Sequence, residues 1–352
     1  MTDFQGGPTI LSLRETMDRL ASPYGAEGFS VLEGEGVLVV DLPTESGISI
    51  EGGSQRALAR ALSQLACPTI AISNASLSPV ATALLPAFDV VLDGLSGVRT
   101  LCERIRRHPI ASLALVQLLR QSGQLDVPSG LVAESWVYSV LQSGPEFQAW
   151  LMDRSPQEVF DSPQPAVLMD RGPSKLCLKL NRPARRNAFG VGMRDGLAEG
   201  LQLALSDPEI QEIVLSGEGT SFCSGGDLSE FGSLPDPATA HAVRSTRNVA
   251  RMLDALASRT RAKVHGACIG AGVELPSFVH EVAAREDSFF QLPEIKMGLV
   301  PGAGGTVSLP RRIGRQRTAW LALTGERIDV HTAAEWGLVD RILSPGDWDS
   351  ER

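Results

Sequence analysis

Residues 263–306 read KVHGACIGAGVELPSFVHEVAAREDSFFQLPEIKMGLVPGAGGT. Two turns of small residues, GAG at 270–272 and PGAGG at 301–305, bracket two carboxylates, Glu274 and Glu294. A turn of small residues lets a ligand lie against the backbone, because no Cβ stands in the way at its glycines. A helix entered after Gly270 leaves its first N–H groups unpaired and pointing at whatever sits there. A carboxylate four residues on lies beside the same spot, and the next strand and turn can bring in a second. Backbone donors beside two carboxylates suit chemistry that builds negative charge on a carbonyl oxygen while protons move nearby.

Working outward, four further blocks accompany HGACIGAGVEL at 265–275. They are LNRPARRNAF at 180–189, GEGTSFCSGGDL at 217–228, FQLPEIKMGLVPGAGGTVSLPRRIG at 290–314 and LTGERIDVHTAAEWGLVDRIL at 323–343. In order and spacing this series resembles the crotonase family, the enoyl-CoA hydratase/isomerase superfamily, over roughly residues 170–345. The resemblance implies an α/β fold, a spiral of ββα units at about 166–352. An extra α/β domain at 1–165 precedes it.

The resemblance also implies a site. Two backbone N–H groups that hold a thioester oxygen fall on Gly226 and Ala271. Glu274 and Glu294 are 20 residues apart (294 − 274), as in family members that hydrate enoyl-CoA. Members that shift a double bond generally need only the later carboxylate, so the pair favours a hydratase over an isomerase. CoA contacts fall on Ala184, Arg185, Arg186, Ser224, Asp227 and Leu228. Arginine suits adenosine phosphates, and Asp227 also reads as a helix cap. CoA arrives as part of the substrate, so no separate cofactor is implied. The family commonly forms trimers or hexamers. Ala271, Pro276, His280, Glu281 and His265 depart from the usual pattern. They leave open other enolate chemistry on a specialised acyl-CoA, or a non-catalytic subunit whose N-terminal domain binds a protein partner.

Composition narrows the partners. The chain has 352 residues, 43% hydrophobic and 21% charged, with a net charge of −9. That acidity argues against nucleic acid and anionic membrane as partners. The N-terminus lacks the pattern of a leader, and no apolar run reaches membrane-spanning length. The five cysteines form no CxxC pair and read as reduced, packed thiols of a cytoplasmic protein. The histidines show no metal-ligand spacing, and no metal is expected.

The N-terminal half reads as alternating helices and strands: a strand at 36–43, a helix at 56–66, CPTIAIS as a strand, then helix and strand at 80–93. This order echoes the region around 253–288, as a degenerate copy of one βα unit would. Residues 97–120 predict two helices around Pro109, similar to the tail that usually follows the crotonase core. That tail is absent from its usual place, so the N-terminal region is expected to supply the missing cover. A helical stretch follows at 129–151, with Ser129 as its N-cap, and 155–174 reads as the linker, with a boundary near 165. In the core, 191–206 and 241–258 each predict a helix, the first with Leu197, Leu201 and Leu205 in line.

Overall fold

The computed structural model describes residues 7–22, 24–43, 52–73, 76–155, 163–233 and 236–350. Four short apolar segments form one parallel sheet: β1 (Ile10–Ser12), β2 (Leu38–Asp41), β3 (Thr69–Ser73) and β4 (Val90–Asp93), in that order. Leu38–Val40 and Thr69–Ile72 are buried without alternation, as parallel strands covered on both faces should be. The helix Gly52–Gln64 turns Leu58 and Leu62, one turn apart, into the same core as Val40, Leu65 and Phe88. The parallel neighbours β3 and β4 are joined by a helix. Any βα unit does the same, so this link does not single out a copy of the later region.

Just before β4, Asp89 is fully buried. It accepts from the Thr69 N–H and hydroxyl, both at 2.9 Å, and pairs with Arg120 at 2.6 Å and Arg315 at 2.9 Å. Two guanidinium groups and two hydrogen bonds replace the water this carboxylate lost. These pairs tie the end of the helix Pro109–Gln121 and the start of the helix Arg315–Thr324 to the sheet.

Residues 1–120 and 315–324 accordingly form one unit, and residues 121–314 and 325–352 another. The expected boundary near 165 is not where the contacts divide. Helices Val127–Gln142 and Pro145–Asp153 belong with the second unit. Of the proline-rich stretch 155–174 that suggested a boundary, residues 156–162 lie outside the described residues and Val167–Arg171 form a strand of the second unit.

The second unit carries β5 (Val167–Arg171), β6 (Lys175–Leu180), β7 (Glu212–Gly217), β8 (Thr260–Val264), β9 (Ala267–Ile269), β10 (Glu281–Arg285), β11 (Phe289–Gln291), β12 (Ile328–Asp329) and β13 (Arg341–Leu343). Six of them form a sheet in the order β13-β10-β8-β7-β6-β5, parallel except for the β5–β6 hairpin. The other three form the sheet β12-β11-β9. Two successive steps, β8–β9 and β10–β11, each place one strand in either sheet before the chain turns into helix. β9 and β11 run parallel and side by side, so the segments after them emerge at one end. Those segments carry Gly270 and Glu294.

Three local expectations fail for stated reasons. Asp126, not Ser129, caps the helix Val127–Gln142, accepting from the Ser129 N–H at 2.8 Å, and Gly144 precedes a second helix. The stretch 241–258 is interrupted at Arg247–Asn248, where the Asn248 side chain caps a new helix through the Arg251 N–H. Leu205 is exposed, because it lies in the last turn of its helix, beyond the packed face of Leu197 and Leu201.

Candidate active site

The site starts from one glycine. Gly270 has φ +52, ψ −118, a conformation that side chains resist. A Cβ there would stand 2.6 Å from Glu294 Oε1 and 3.4 Å from Gly225 Cα. Gly270 is therefore wedged between the carboxylate that follows β11 and the CSGGD loop. The Gly270 carbonyl accepts the Glu274 N–H at 2.9 Å, which starts the short helix Ala271–Glu274. One residue thus brings together both carboxylates and both glycine loops.

The N–H groups of Gly226 and Ala271 donate to nothing among the described residues. Their neighbours are all committed: Phe189 N–H to the Gly225 carbonyl at 2.7 Å, Asp227 N–H to the Phe189 carbonyl at 3.1 Å, and Gly270 N–H to the Gln291 carbonyl at 2.9 Å. Two free donors on touching loops can hold one anionic oxygen. Ala271 keeps a helical conformation, so its methyl costs the turn nothing.

Glu274 is buried, and its Oε2 accepts the N–H groups of Ala303 at 2.7 Å and Gly305 at 2.8 Å. Glu294 is also buried, and its Oε2 has no partner among the described residues. A third carboxylate, Glu134, comes from the helix Val127–Gln142. It accepts Gly304 N–H on Oε1 at 2.7 Å, and Thr306 N–H and hydroxyl on Oε2 at 2.9 and 2.6 Å. The PGAGGT turn thus gives four consecutive N–H groups alternately to two acids.

Burial raises all three carboxyls, since the charged form loses water. Glu294 is pushed up to about 8. Glu134 is pushed up to about 7, with its hydrogen bonds pulling the other way. Glu274 lies well above the usual range, from burial and then from the charges of Glu294 and Glu134. Neighbouring acids of this kind share protons rather than titrate singly. The two N–H donors on Glu274 favour charge there, and the bare Oε2 of Glu294 favours a proton.

The remaining expected residues gather at one edge. Asn187, buried at φ +53, pins the loop 182–187 through the Arg182 N–H and the carbonyls of Glu218 and Ser221. That loop carries Ala184, Arg185 and Arg186. Ser224 N–H donates to the Arg186 carbonyl at 3.0 Å. Arg185 pairs with Asp227 at 2.8 Å, and Asp227 caps the turn Leu228–Glu230. The Leu228 carbonyl accepts from Arg154. Ala184 and Arg186 are exposed. His280 is exposed, Glu281 pairs with Arg341, and Pro276 merely opens a short turn after the Glu274 helix. His265 is buried and bonded to the Gly219 carbonyl at 3.0 Å. Burial pushes the Cys223 thiol up to about 12, so it is no ready nucleophile.

Residues 173–351, just over half of the chain, match the family description Enoyl-CoA hydratase/isomerase. The chain belongs to that family. It is 35% identical over 181 residues to the 2,3-dehydroadipyl-CoA hydratase of Escherichia coli, covering 51% of this chain and 70% of that one. It is 35% identical over 172 residues to the 1,2-epoxyphenylacetyl-CoA isomerase of the same organism, covering 48% and 66%. A solved enoyl-CoA hydratase from Mycobacterium smegmatis is similar at 31% identity and a TM-score of 0.49, over 53% of this chain and 74% of that one. Each match thus leaves part of the relative unmatched.

Family-like motifs did not reveal the cover of the site. Helices Val127–Gln142 and Pro145–Asp153, within the N-terminal half of the chain, supply it. Besides Glu134, Tyr138 lies against Gly302, where a Cβ would meet its ring at 2.4 Å. Phe147 and Trp150 pack with Phe231, whose ring sits 2.8 Å from where a Gly226 Cβ would be. The sequence held one signal: Glu134 is the only acid between Asp126 and Glu146, in a largely apolar helix. The helices at 98–107 and 109–121, which read as similar to the family's tail, fall almost wholly in the first unit.

Proposed function

We propose that this chain hydrates a 2-enoyl-CoA thioester, adding water across the C2=C3 bond. The observation that carries the reading is the asymmetry of the acid pair: Glu274 is held by two N–H donors, while the Oε2 of Glu294 is buried and bare. The thioester oxygen sits on the N–H groups of Gly226 and Ala271, which take up the negative charge of the enolate. With one proton shared by the pair and carried by Glu294, Glu274 takes the charge on its two N–H donors and removes a proton from water as its oxygen bonds to C3. Neutral Glu294 then delivers a proton from Oε2 to C2, and the pair has exchanged one proton with the added water. No separate cofactor enters this sequence.

The CoA moiety follows the edge formed by Ala184, Arg185, Arg186, Ser224, Asp227 and Leu228. Arg186 is the better phosphate partner, since Arg185 already pairs with Asp227. A soluble homo-oligomer, trimer or hexamer, is the assembly the family suggests.

The test is loss of enone absorbance on crotonyl-CoA and longer or aryl 2-enoyl-CoA thioesters. Turnover that disappears in the Glu274→Gln, Glu294→Gln double variant supports the reading. A chain that shifts a double bond, and tolerates Glu274→Gln far better than Glu294→Gln, is an isomerase and ends it. Absence of both turnover and CoA binding would favour the non-catalytic subunit.

A further inference from the structure

Three arginines line a cavity beside the turn that holds Glu274. Phe189, Leu275 and Gly302–Gly304 line it together with Arg194, Arg244 and Arg247. Ala303 is the residue whose N–H holds Glu274, and Phe189 is bonded to both neighbours of Gly226. The cavity thus borders the residues that hold Glu274 and Gly226, and an acyl chain that passes them would enter it.

The arginines are not equivalent. Arg194 and Arg247 both reach Asp195, at 2.8 and 3.3 Å. Arg244 forms no ion pair among the described residues. Its N–H groups go to neutral acceptors: the Ser135 hydroxyl at 3.0 Å, the Ser135 carbonyl at 3.2 Å, the Ser139 hydroxyl, and the Gln142 side chain at 3.3 Å. Its guanidinium lies 4.8 Å from the centre of the Tyr138 ring, which in turn lies against Gly302. Dipoles and a ring solvate the cation without cancelling its charge, and burial works against it. Glu134 lines the same cavity, but both its oxygens are committed to Gly304 and Thr306. Arg247 also lies 3.9 Å from Glu199, so Asp195 and Glu199 answer Arg194 and Arg247, and Arg244 is left with hydrogen-bonded Glu134 as the remaining acid of the cavity.

We propose that the preferred acyl chain ends in a carboxylate, and that Arg244 receives it. This rests on the hydratase reading above. Four of the five guanidinium N–H groups are used, and the fifth, on Nη1, remains for an anion. An uncharged chain filling the cavity would strip water from Arg244 and return no charge. A site built for a polar group discriminates strongly against the analogue lacking it.

The experiment compares kcat/KM for the CoA thioester of hex-2-enedioic acid with that for its ω-methyl ester. The wild type should favour the acid by about 10²-fold. Arg244→Gln should bring the two within about threefold, and Arg244→Lys should keep an intermediate ratio. A residue that only braces the helices would lower both substrates alike and leave the ratio unchanged, overturning the proposal. If the wild type turns over neither, the hydratase reading fails by itself. The same ratio is then read from calorimetric binding of the two thioesters, where equal affinities overturn the carboxylate site and a tighter acid supports it.

Discussion

Glu134 and Glu274 hold opposite sides of one turn. Ala303 and Gly305 donate to Glu274, and Gly304 and Thr306 donate to Glu134. The acid expected to do chemistry is thus positioned by a backbone that another acid, from a distant helix, keeps in place.

Replacing Glu134 should therefore weaken both stability and catalysis. Glu134→Ala strands two backbone donors and the Thr306 hydroxyl in a buried place, at a cost of about 2–4 kcal/mol. Chemical denaturation measures the first effect. The turn it loosens donates two N–H groups to Glu274, so kcat should drop by about 10² with a smaller change in KM. Glu134→Asp, too short to span both contacts, should behave more like alanine than like the wild type.

The pH response follows from Glu294, which burial pushes up to about 8. The proton donor is lost as pH rises through that value, so kcat should fall on the alkaline side. Stability runs the same way with a different window. The unfolded glutamate ionises near its ordinary value while the folded one stays protonated, so the unfolded state binds fewer protons. This group's contribution therefore declines from about pH 4.5 to about 8 and is level above. Glu294→Gln removes that decline, and thermal melts across this range should show the variant gaining on the wild type as pH rises.

Gly270→Ala tests the wedge. The methyl group would meet Glu294 Oε1, and alanine resists φ +52. Strain of about 1–3 kcal/mol is expected, and turnover should suffer more than the melting temperature, because the displaced groups are the acid pair and the Gly225–Gly226 loop.

Asp89→Ala probes the first unit. It leaves the partly buried Arg120 and Arg315 without their counter-ion and should cost about 3 kcal/mol. Denaturant unfolding followed separately by probes in each unit would show the loss in residues 1–120.

Local features were legible from sequence where the cause is local. Glycines at 270–272 and 301–305 announce turns, and Glu274 and Glu294 stand beside them. The strands KLCLKL and CPTIAIS carry their own patterns. Glu134 was legible only as a lone acid in an apolar stretch; its role was not, since its partners are 170 and 172 residues away. Arg244 hides for the same reason: its acceptors, from Ser135 to Gln142, lie more than one hundred positions upstream. The boundary near 165 misled because proline and polar residues mark any exposed connection, whether or not a domain ends there.

The distance between Glu134 and Gly304 along the chain also sets an order of events. During synthesis the helix carrying Glu134 leaves the ribosome long before residues 301–306 exist. Until they arrive, its carboxylate has no donors, and the apolar residues around it have no complete surface to cover. Closing a loop of this length is entropically expensive and is a late step for topologies of high contact order. The site thus cannot be completed before residue 306 has been made, and a chain halted before residue 301 would hold most of the strands and none of the turn that holds Glu274.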